Sequence, residues 1–365
     1  MKFHFLFLTS AFAFCLSSCG TTSSLTPAEE IDEIMQPFNS PSAPGASVLV
    51  MLNNNIYFAK GYGIAKLDTK EKITTKTNFR LASITKQFTA MCIMMLAEQG
   101  KLSFNDPIAK HLEGLPPYAN GITIQHLLNH TSGLVDYEDF VPDTQTYQVL
   151  DSDCLELLKK ADSTYFPPGT QYRYSNTGYA FLALIVEKVS GKRFADFLKE
   201  NIFNQIGMKT TVAYEKGIST VANRAFGHSL QNGNYVETDQ SNTSAVLGDG
   251  GIYSNVEEMS LWISALFSNT FVSRELQERS WKSALLNNGT SIDYGIGWHL
   301  ETCNGMYHPA HGGSTRGFRN NIQIFPDQKL MVIILTNRNE AEPEIQTKKI
   351  AGIMLKHIRA CNPCN

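Results

Sequence analysis

Two β-rich segments stand near opposite ends of this chain, and one fold has to bring them together. The first, ASVLVMLNNNIYFAKGYGIA (46–65), consists of two apolar runs joined across three asparagines. The second, NNIQIFPDQKLMVIILTN (320–337), repeats the pattern around a Pro-Asp turn. Each reads as a hairpin. Helical patterns lie outside both, AEEIDEIMQPF at 28–38 and the amphipathic EIQTKKIAGIMLKHIRA at 344–360. The two ends therefore read as one unit.

Between about residues 95 and 290 the signals are mostly helical, punctuated by the loops EGLPPYANG, YFPPGT and LQNGNY. The expected fold is α/β. An antiparallel sheet flanked by helices takes residues 28–95 plus 290–360, and a largely helical insertion domain takes 96–289. No fixed-period repeat is visible, which excludes a solenoid. With 365 residues, 42% apolar and 18% charged, the chain suffices for one large domain or two closely packed ones.

The chain opens MKFHFLFLTSAFAFCLSSCG: one early lysine, an apolar stretch from Phe3 to Leu16, then small residues. Residues 1–18 thus have the outline of an export signal, too short to span a bilayer comfortably. Its LSSC is similar to the lipobox of bacterial lipoproteins, which would make Cys19 the lipidated first residue of the mature chain. An ordinary cleaved signal is the alternative. Residues 19–27, polar and rich in Ser and Thr, suit a tether. The expectation is an exported, periplasmic protein held to a bacterial membrane by a lipid. The net charge of −3, with no run of five or six like charges, argues against nucleic acid as a partner.

Of the seven cysteines, Cys15 and Cys19 fall in the leader, leaving Cys92, Cys154, Cys303, Cys361 and Cys364. An odd number in an oxidising compartment leaves at least one thiol unpaired or pairing between chains. Cys92, inside MCIMMLAEQG, reads as a small buried hydrophobe, and the terminal CNPC closes a local disulfide or does nothing.

The first chemical signal is LASITKQFTA (81–90). Ser83 and Lys86 are three apart at the start of a helical pattern, so their side chains share a face. A serine hydroxyl is a poor nucleophile alone. A lysine desolvated beside it, its pKa lowered by burial, can serve as its base, and a helix N-terminus supplies N–H groups where an oxyanion forms. The competing reading is a solvated surface lysine.

Further segments settle which reading is better supported: ITIQHLLNHTSGL, PGTQYRYSNTGYAFLALIVEKVSGKRFADFLKENIFNQIGM, GDGGIYSNVEEMSLWI, YGIGW and HGGSTRGF. Together with LASITKQFTA they resemble the serine β-lactamase and penicillin-binding protein superfamily, in its class C β-lactamase, D-Ala-D-Ala carboxypeptidase and esterase branch. The resemblance runs from about residue 27 to 358. It implies the β-lactamase/transpeptidase-like fold, Ser83 as acylated nucleophile, Lys86 as its proton partner, and a Tyr-x-Asn element. Three such tripeptides occur, at Tyr118, Tyr174 and Tyr253. Tyr118 follows two prolines in a turn, and Tyr253 precedes Ser254 and Glu257, which read as a capping box. Tyr174 follows the HTSGL and PGT segments, where the family places the motif, which gives Tyr174 a share with Lys86 in the proton transfers and makes Asn176 an orienting amide; spacing does not assign which of the two is the base in each step.

The third family element falls on His311-Gly312-Gly313, where many class C β-lactamases carry Lys-Thr-Gly. A fixed ammonium for a substrate carboxylate is therefore missing. His311 is expected to hydrogen-bond the Tyr174 hydroxyl and to titrate near neutrality, and Gly313 to let the strand approach substrate closely. The resemblance places the second oxyanion N–H on Ser314. Arg316 or Arg319 is available for a substrate carboxylate, with a surface or structural ion pair as the alternative for either.

A rival chemistry is zinc: His126 and His130 in HLLNH are four apart, but Leu127 stands where a metalloprotease has glutamate, and no third ligand follows by spacing. The reading is thus an exported serine hydrolase with no cofactor, acting on D-alanyl peptides of peptidoglycan or on β-lactams. Small esters or D-amino-acid amides are the alternative substrates, and a non-catalytic penicillin-binding module the alternative function. The sequence is silent on oligomeric state.

Overall fold

In the computed structural model, which describes residues 25–361 apart from 143 and 304, the two terminal hairpins form one sheet. Its strands are β1 (Ala46–Leu52), β2 (Asn55–Tyr62), β3 (His299–Cys303), β4 (Met306–Thr315), β5 (Phe318–Phe325) and β6 (Leu330–Thr336). They lie in the order β3-β4-β5-β6-β1-β2, every neighbour antiparallel. The join between chain ends is the β1–β6 ladder, running from Ala46 opposite Thr336 to Leu52 opposite Leu330.

Strand β6, LMVIILT, is buried at every position, which explains why it reads as an unbroken apolar run. Its side chains alternate between two cores. Val332 and Ile334, with Val48 and Val50, pack under helices α1 (Pro27–Met35) and α8 (Pro343–Cys361). Met331, Ile333 and Leu335, with Leu49 and Met51, face the helices of the middle of the chain. Helix α1 opens with Pro27 behind a capping box made by Thr26 and Glu29.

The middle of the chain supplies α2 (Lys86–Glu98), α3 (Ile124–Leu128), α4 (Asp151–Leu158), α5 (Asn176–Ser190), α6 (Leu247–Gly250) and α7 (Val256–Phe267). Helix α2 is buried almost all round, and Phe88 stacks on Trp262 of α7 with ring centroids 4.1 Å apart. Helix α7 lies against β1 and β6, so this segment from the expected insertion covers the sheet, and one apolar core runs through both regions.

Local expectations change at two places. Ser83 does not sit on the α-helix: Ala82–Thr85 form a 3-10 turn that leads into α2 at Lys86. The cap of α7 is Asn255, whose side chain accepts from Glu258 N–H, rather than Ser254, which ends a short strand. Cys92, Cys154 and Cys303 are free, buried thiols. The leader with Cys19, most of the tether, and Cys364 lie outside the described residues.

Candidate active site

Ser83 lies on a turn whose backbone is constrained from both sides. Ala82, just before it, has a positive φ of 50°, an uncommon conformation for a residue with a side chain. Strand β4 presses against the same turn at Gly313. A Cβ there would stand 2.2 Å from the Leu81 carbonyl oxygen, so only glycine permits this approach. Asn320 of β5 fastens the two together, its amide donating to the carbonyls of Arg80 (2.8 Å) and Leu81 (3.3 Å) while its oxygen accepts from Thr336 N–H.

Lys86 begins α2 and is wholly buried. Its Nζ lies 3.1 Å from Ser83 Oγ, 2.9 Å from Asn176 Oδ1 and 2.9 Å from the Asp249 carbonyl oxygen. Those three neighbours match the three hydrogens of an ammonium. Burial lowers the Lys86 pKa to about 8, against the pull of Asp249 and Glu138 in the other direction. At neutral to mildly alkaline pH a fraction of the side chain is free amine, with a lone pair for the serine proton.

Tyr174-Ser175-Asn176 forms the entry to α5. Ser175 caps the helix by accepting from Gly178 N–H, and its own N–H donates to His130 Nδ1 at 3.0 Å. The Tyr174 ring lies beneath Lys86, with Nζ 4.8 Å from its centroid, between His130 (4.2 Å) and a parallel His299 (5.8 Å). Its hydroxyl is buried and has no hydrogen bond of good geometry among the described residues. Burial pushes this phenol well above its ordinary pKa, and Ser83 is the neighbour that draws it back. The ring is therefore a neutral phenol in the resting site, not the phenolate that a nearby ammonium favours. The other two tripeptides lie elsewhere: the Tyr118 hydroxyl donates to Leu158 O, and that of Tyr253 meets Arg224 and Gln240.

His311, Gly313 and Ser314 of β4 line a cavity of about 630 Å³ together with Ser83, Tyr174 and Arg319. Two expectations for His311 are corrected. Its Nε2 meets the Tyr294 hydroxyl at 3.2 Å rather than Tyr174, while Nδ1 faces the Gly312 carbonyl oxygen at 2.6 Å, which assigns the proton to Nδ1. Burial, reinforced by His299, lowers its pKa well below the ordinary value, so it stays neutral rather than titrating near pH 7. Arg319 reaches the cavity but spends its guanidinium on the carbonyls of Thr315 and Phe318, and Arg316 is exposed.

The zinc pairing of His126 and His130 fails on helix length. Helix α3 stops at Leu128, and His130 follows in a left-handed conformation (φ 58°), so the two imidazoles are not one turn apart on a face. His126 Nδ1 accepts from Thr123 N–H within a capping box, and His130 Nδ1 holds Ser175. Among the described residues no group of three His, Cys, Asp or Glu side chains is placed to hold a metal ion.

Several site residues escaped sequence reasoning. Asp249 holds Lys86 through its backbone carbonyl, and its buried carboxyl, raised to about 6 by burial, accepts from Tyr137 at 3.1 Å. Glu138 lies 3.4 Å from the Asn176 amide. His299 and Tyr294 complete the aromatic wall behind Tyr174. The GDGG segment was visible as a motif, yet a carbonyl ligand leaves no mark in residue identity.

A family model described as Beta-lactamase matches residues 29–352. The chain belongs to the beta-lactamase family. It is 33% identical over 309 residues to Penicillin-binding protein 4* of Bacillus subtilis (strain 168), a match covering 80% of this chain. The chain spans about two thirds of the curated relatives' length, 68% of that protein and 63% of the next ones. Among solved structures, an octameric penicillin-binding protein homologue from Pyrococcus abyssi superposes with a TM-score of 0.78 at 25% identity, covering 90% of this chain and 77% of that one. A D-amino acid amidase from Ochrobactrum anthropi SV3 shares the fold, with a TM-score of 0.76 at 21% identity over 92% of this chain and 99% of that one. The family is that of serine acyl-transferases and hydrolases of the β-lactamase and penicillin-binding type.

Proposed function

We propose that this family member is an exported hydrolase that acylates Ser83, with D-alanyl peptides of cell-wall material, or the β-lactams that mimic them, as its substrates. The single observation that carries the reading is the convergence of Ser83 Oγ and Asn176 Oδ1 on the buried Lys86 Nζ, 3.1 and 2.9 Å away. Neutral Lys86 takes the Ser83 proton as Oγ bonds to the substrate carbonyl carbon, and the Ser83 and Ser314 N–H groups face the oxyanion. As the C–N bond breaks, the leaving nitrogen takes a proton from Tyr174, which regains one from Lys86. Water then adds to the acyl carbon and gives a proton to the lysine-tyrosine pair, and as the bond from the acyl carbon to Oγ breaks, that proton passes to Oγ and restores the Ser83 hydroxyl. Residues 1–18 and Cys19 supply the export signal and lipid anchor in this reading, and no described helix is long and apolar enough to cross a membrane.

A second substrate class, amides or esters without a carboxylate on the leaving side, is favoured by the charges at the cavity. Neutral His311 offers no fixed cation, Arg319 is bound to backbone, and Glu342 and Glu344 stand on the same wall. Glu138 lines a recess beside Ser83 and Asn176, where its carboxylate suits an ammonium on the acyl residue, as in a D-amino-acid amide. The test is a hydrolysis panel of a D-Ala-D-Ala peptide, a chromogenic cephalosporin, a D-amino-acid amide and a short acyl ester. Intact mass after fluorescent penicillin should show one adduct that Ser83→Ala abolishes. An adduct persisting in that variant overturns the nucleophile, and hydrolysis of the amide or ester alone selects the second class.

A further inference from the structure

Helix α6 is a single turn, Leu247–Gly250, and five polar groups of its backbone are taken by side chains from other elements. At its carbonyl end three successive oxygens are claimed: Gly248 O by Thr89 Oγ1 (2.7 Å), Asp249 O by Lys86 Nζ (2.9 Å) and Gly250 O by Arg80 Nε (3.1 Å). At its amino end, Asp151 accepts from Leu247 N–H (2.8 Å) and Gly248 N–H (2.9 Å), one to each carboxylate oxygen. A one-turn helix has little internal ladder, here the single bond from Gly251 N–H to Leu247 O at 3.2 Å, so its place is set chiefly by these outside grips. Gly248 closes the assembly: a Cβ there would lie 2.4 Å from the Tyr179 carbonyl oxygen on α5.

We propose that Asp151 is a positioning residue for Lys86, acting through α6 and at no point touching substrate. The inference rests on Lys86 being the proton acceptor for Ser83. Asp151 is 9% exposed and begins α4, away from Ser83, on the wall of a separate cavity of about 600 Å³ that opens to solvent. Its two hydrogen bonds hold the turn that carries the Asp249 carbonyl, and that carbonyl stabilises the charged form of Lys86. When Asp151 is altered, the carbonyl loosens, the ammonium loses an acceptor, and Nζ loses its fixed distance from Oγ.

The charged and titratable groups around the two ends are few. Asp249, Glu187 and Cys154 face Asp151. The carboxylates of Asp249 and Glu138 face Lys86, together with the phenol rings of Tyr174 (4.8 Å) and Tyr179 (5.5 Å) and the neutral imidazoles of His130, His299 and His311. Burial raises Asp151 to about 7, so its grip weakens below neutrality, when one oxygen becomes a hydroxyl.

The test is the pH dependence of acylation by a fluorescent penicillin in wild type, Asp151→Asn, Thr89→Val and Ser83→Ala, each rate normalised to folded protein. Asp151→Asn should lower the high-pH plateau on the order of tenfold and shift the midpoint down by about half a unit or more. Thr89→Val removes a second grip without changing charge, and should shift the midpoint the same way; it stands in for Asp151→Asn where that variant does not fold. A loss of folded protein with plateau and midpoint unchanged would mean Asp151 is merely structural and overturns the proposal. A shift in Asp151→Asn but none in Thr89→Val also overturns it, because the effect is then the lost charge and not the turn. Labelling that survives in Ser83→Ala refutes the nucleophile reading and the positioning role with it. Abolished labelling there, with unmoved midpoints in the other two, refutes the positioning role alone.

Discussion

Replacing Gly313 by alanine adds one methyl group at the contact between strand β4 and the Ser83 turn. The new Cβ would meet Leu81 O at 2.2 Å, whereas real Cβ contacts stay beyond 3.0 Å, so strand and turn must part by about an ångström. The obstacle is backbone, which no side-chain rotation relieves. Ser314 N–H moves with the strand, and an oxyanion spanning the two N–H groups loses one of them. Removing one such donor costs about 10²–10³ in rate, or roughly 3–4 kcal/mol of transition-state stabilisation. The assay is stopped-flow acylation of Gly313→Ala by a chromogenic cephalosporin, beside thermal unfolding of the same preparation. The expected outcome is a folded protein whose substrate affinity changes far less than its acylation rate. Acylation within about threefold of wild type, in a protein that unfolds at the wild-type temperature, would refute both the close approach and the role of Ser314.

Three further outcomes follow from the same geometry. Tyr174→Phe should reduce turnover by about 10²–10⁴-fold while leaving thermal stability unchanged or raised, since the deleted hydroxyl is buried without a good partner; a clear loss of stability would contradict that burial. The acylation rate should climb with pH to a midpoint near 8, the value at which buried Lys86 gives up its proton, and a flat profile from pH 6 to 10 would remove Lys86 as the base. Because its folded pKa lies below the ordinary 10.5, the unfolded chain binds more protons in that window. Wild type should therefore gain stability relative to Lys86→Met in urea melts as pH rises from 7 to 9.5, and a gap that stays constant would show that the charge is not buried. Glu138→Gln should lower kcat/KM for D-amino-acid amides relative to neutral esters and move the midpoint down, and equal loss on both substrates would deny it a part in selectivity.

The architecture was legible because the two hairpins carry their own turn chemistry, Asn53-Asn54 between β1 and β2 and Pro326 to Gln328 between β5 and β6. It was also legible because a doubly covered strand such as β6 must be apolar throughout. Spacing was informative wherever it was local: Ser83 and Lys86 stay within reach even though the turn between them is 3-10 and not α. The zinc rival at His126 and His130, already short of a glutamate and a third ligand, loses its spacing too, because the helix that a four-residue interval assumes stops between them. The capping pattern at Ser254 misled by one residue, since Asn255 and Glu258 offer the same interval. The remaining site residues were not legible because their roles lie outside residue identity. Asp249 serves through its carbonyl, Gly313 through the side chain it lacks, and His299 through a register opposite Ala310 that only the folded sheet fixes.

These illegible parts share a physical logic. A buried lysine is costly to hold, and its pKa near 8 is the measure of how far burial outweighs its partners. Side-chain partners of opposite charge at hydrogen-bond distance would have raised that pKa and removed its use as a base. The partners chosen are instead a hydroxyl, an amide oxygen and a main-chain carbonyl, all neutral, with the nearest carboxylates kept beyond direct contact on Asp249 and Glu138. Neutral acceptors fix the ammonium in place without strongly stabilising its charge. That selection makes the backbone of α6 as much a part of the site as the side chains around it.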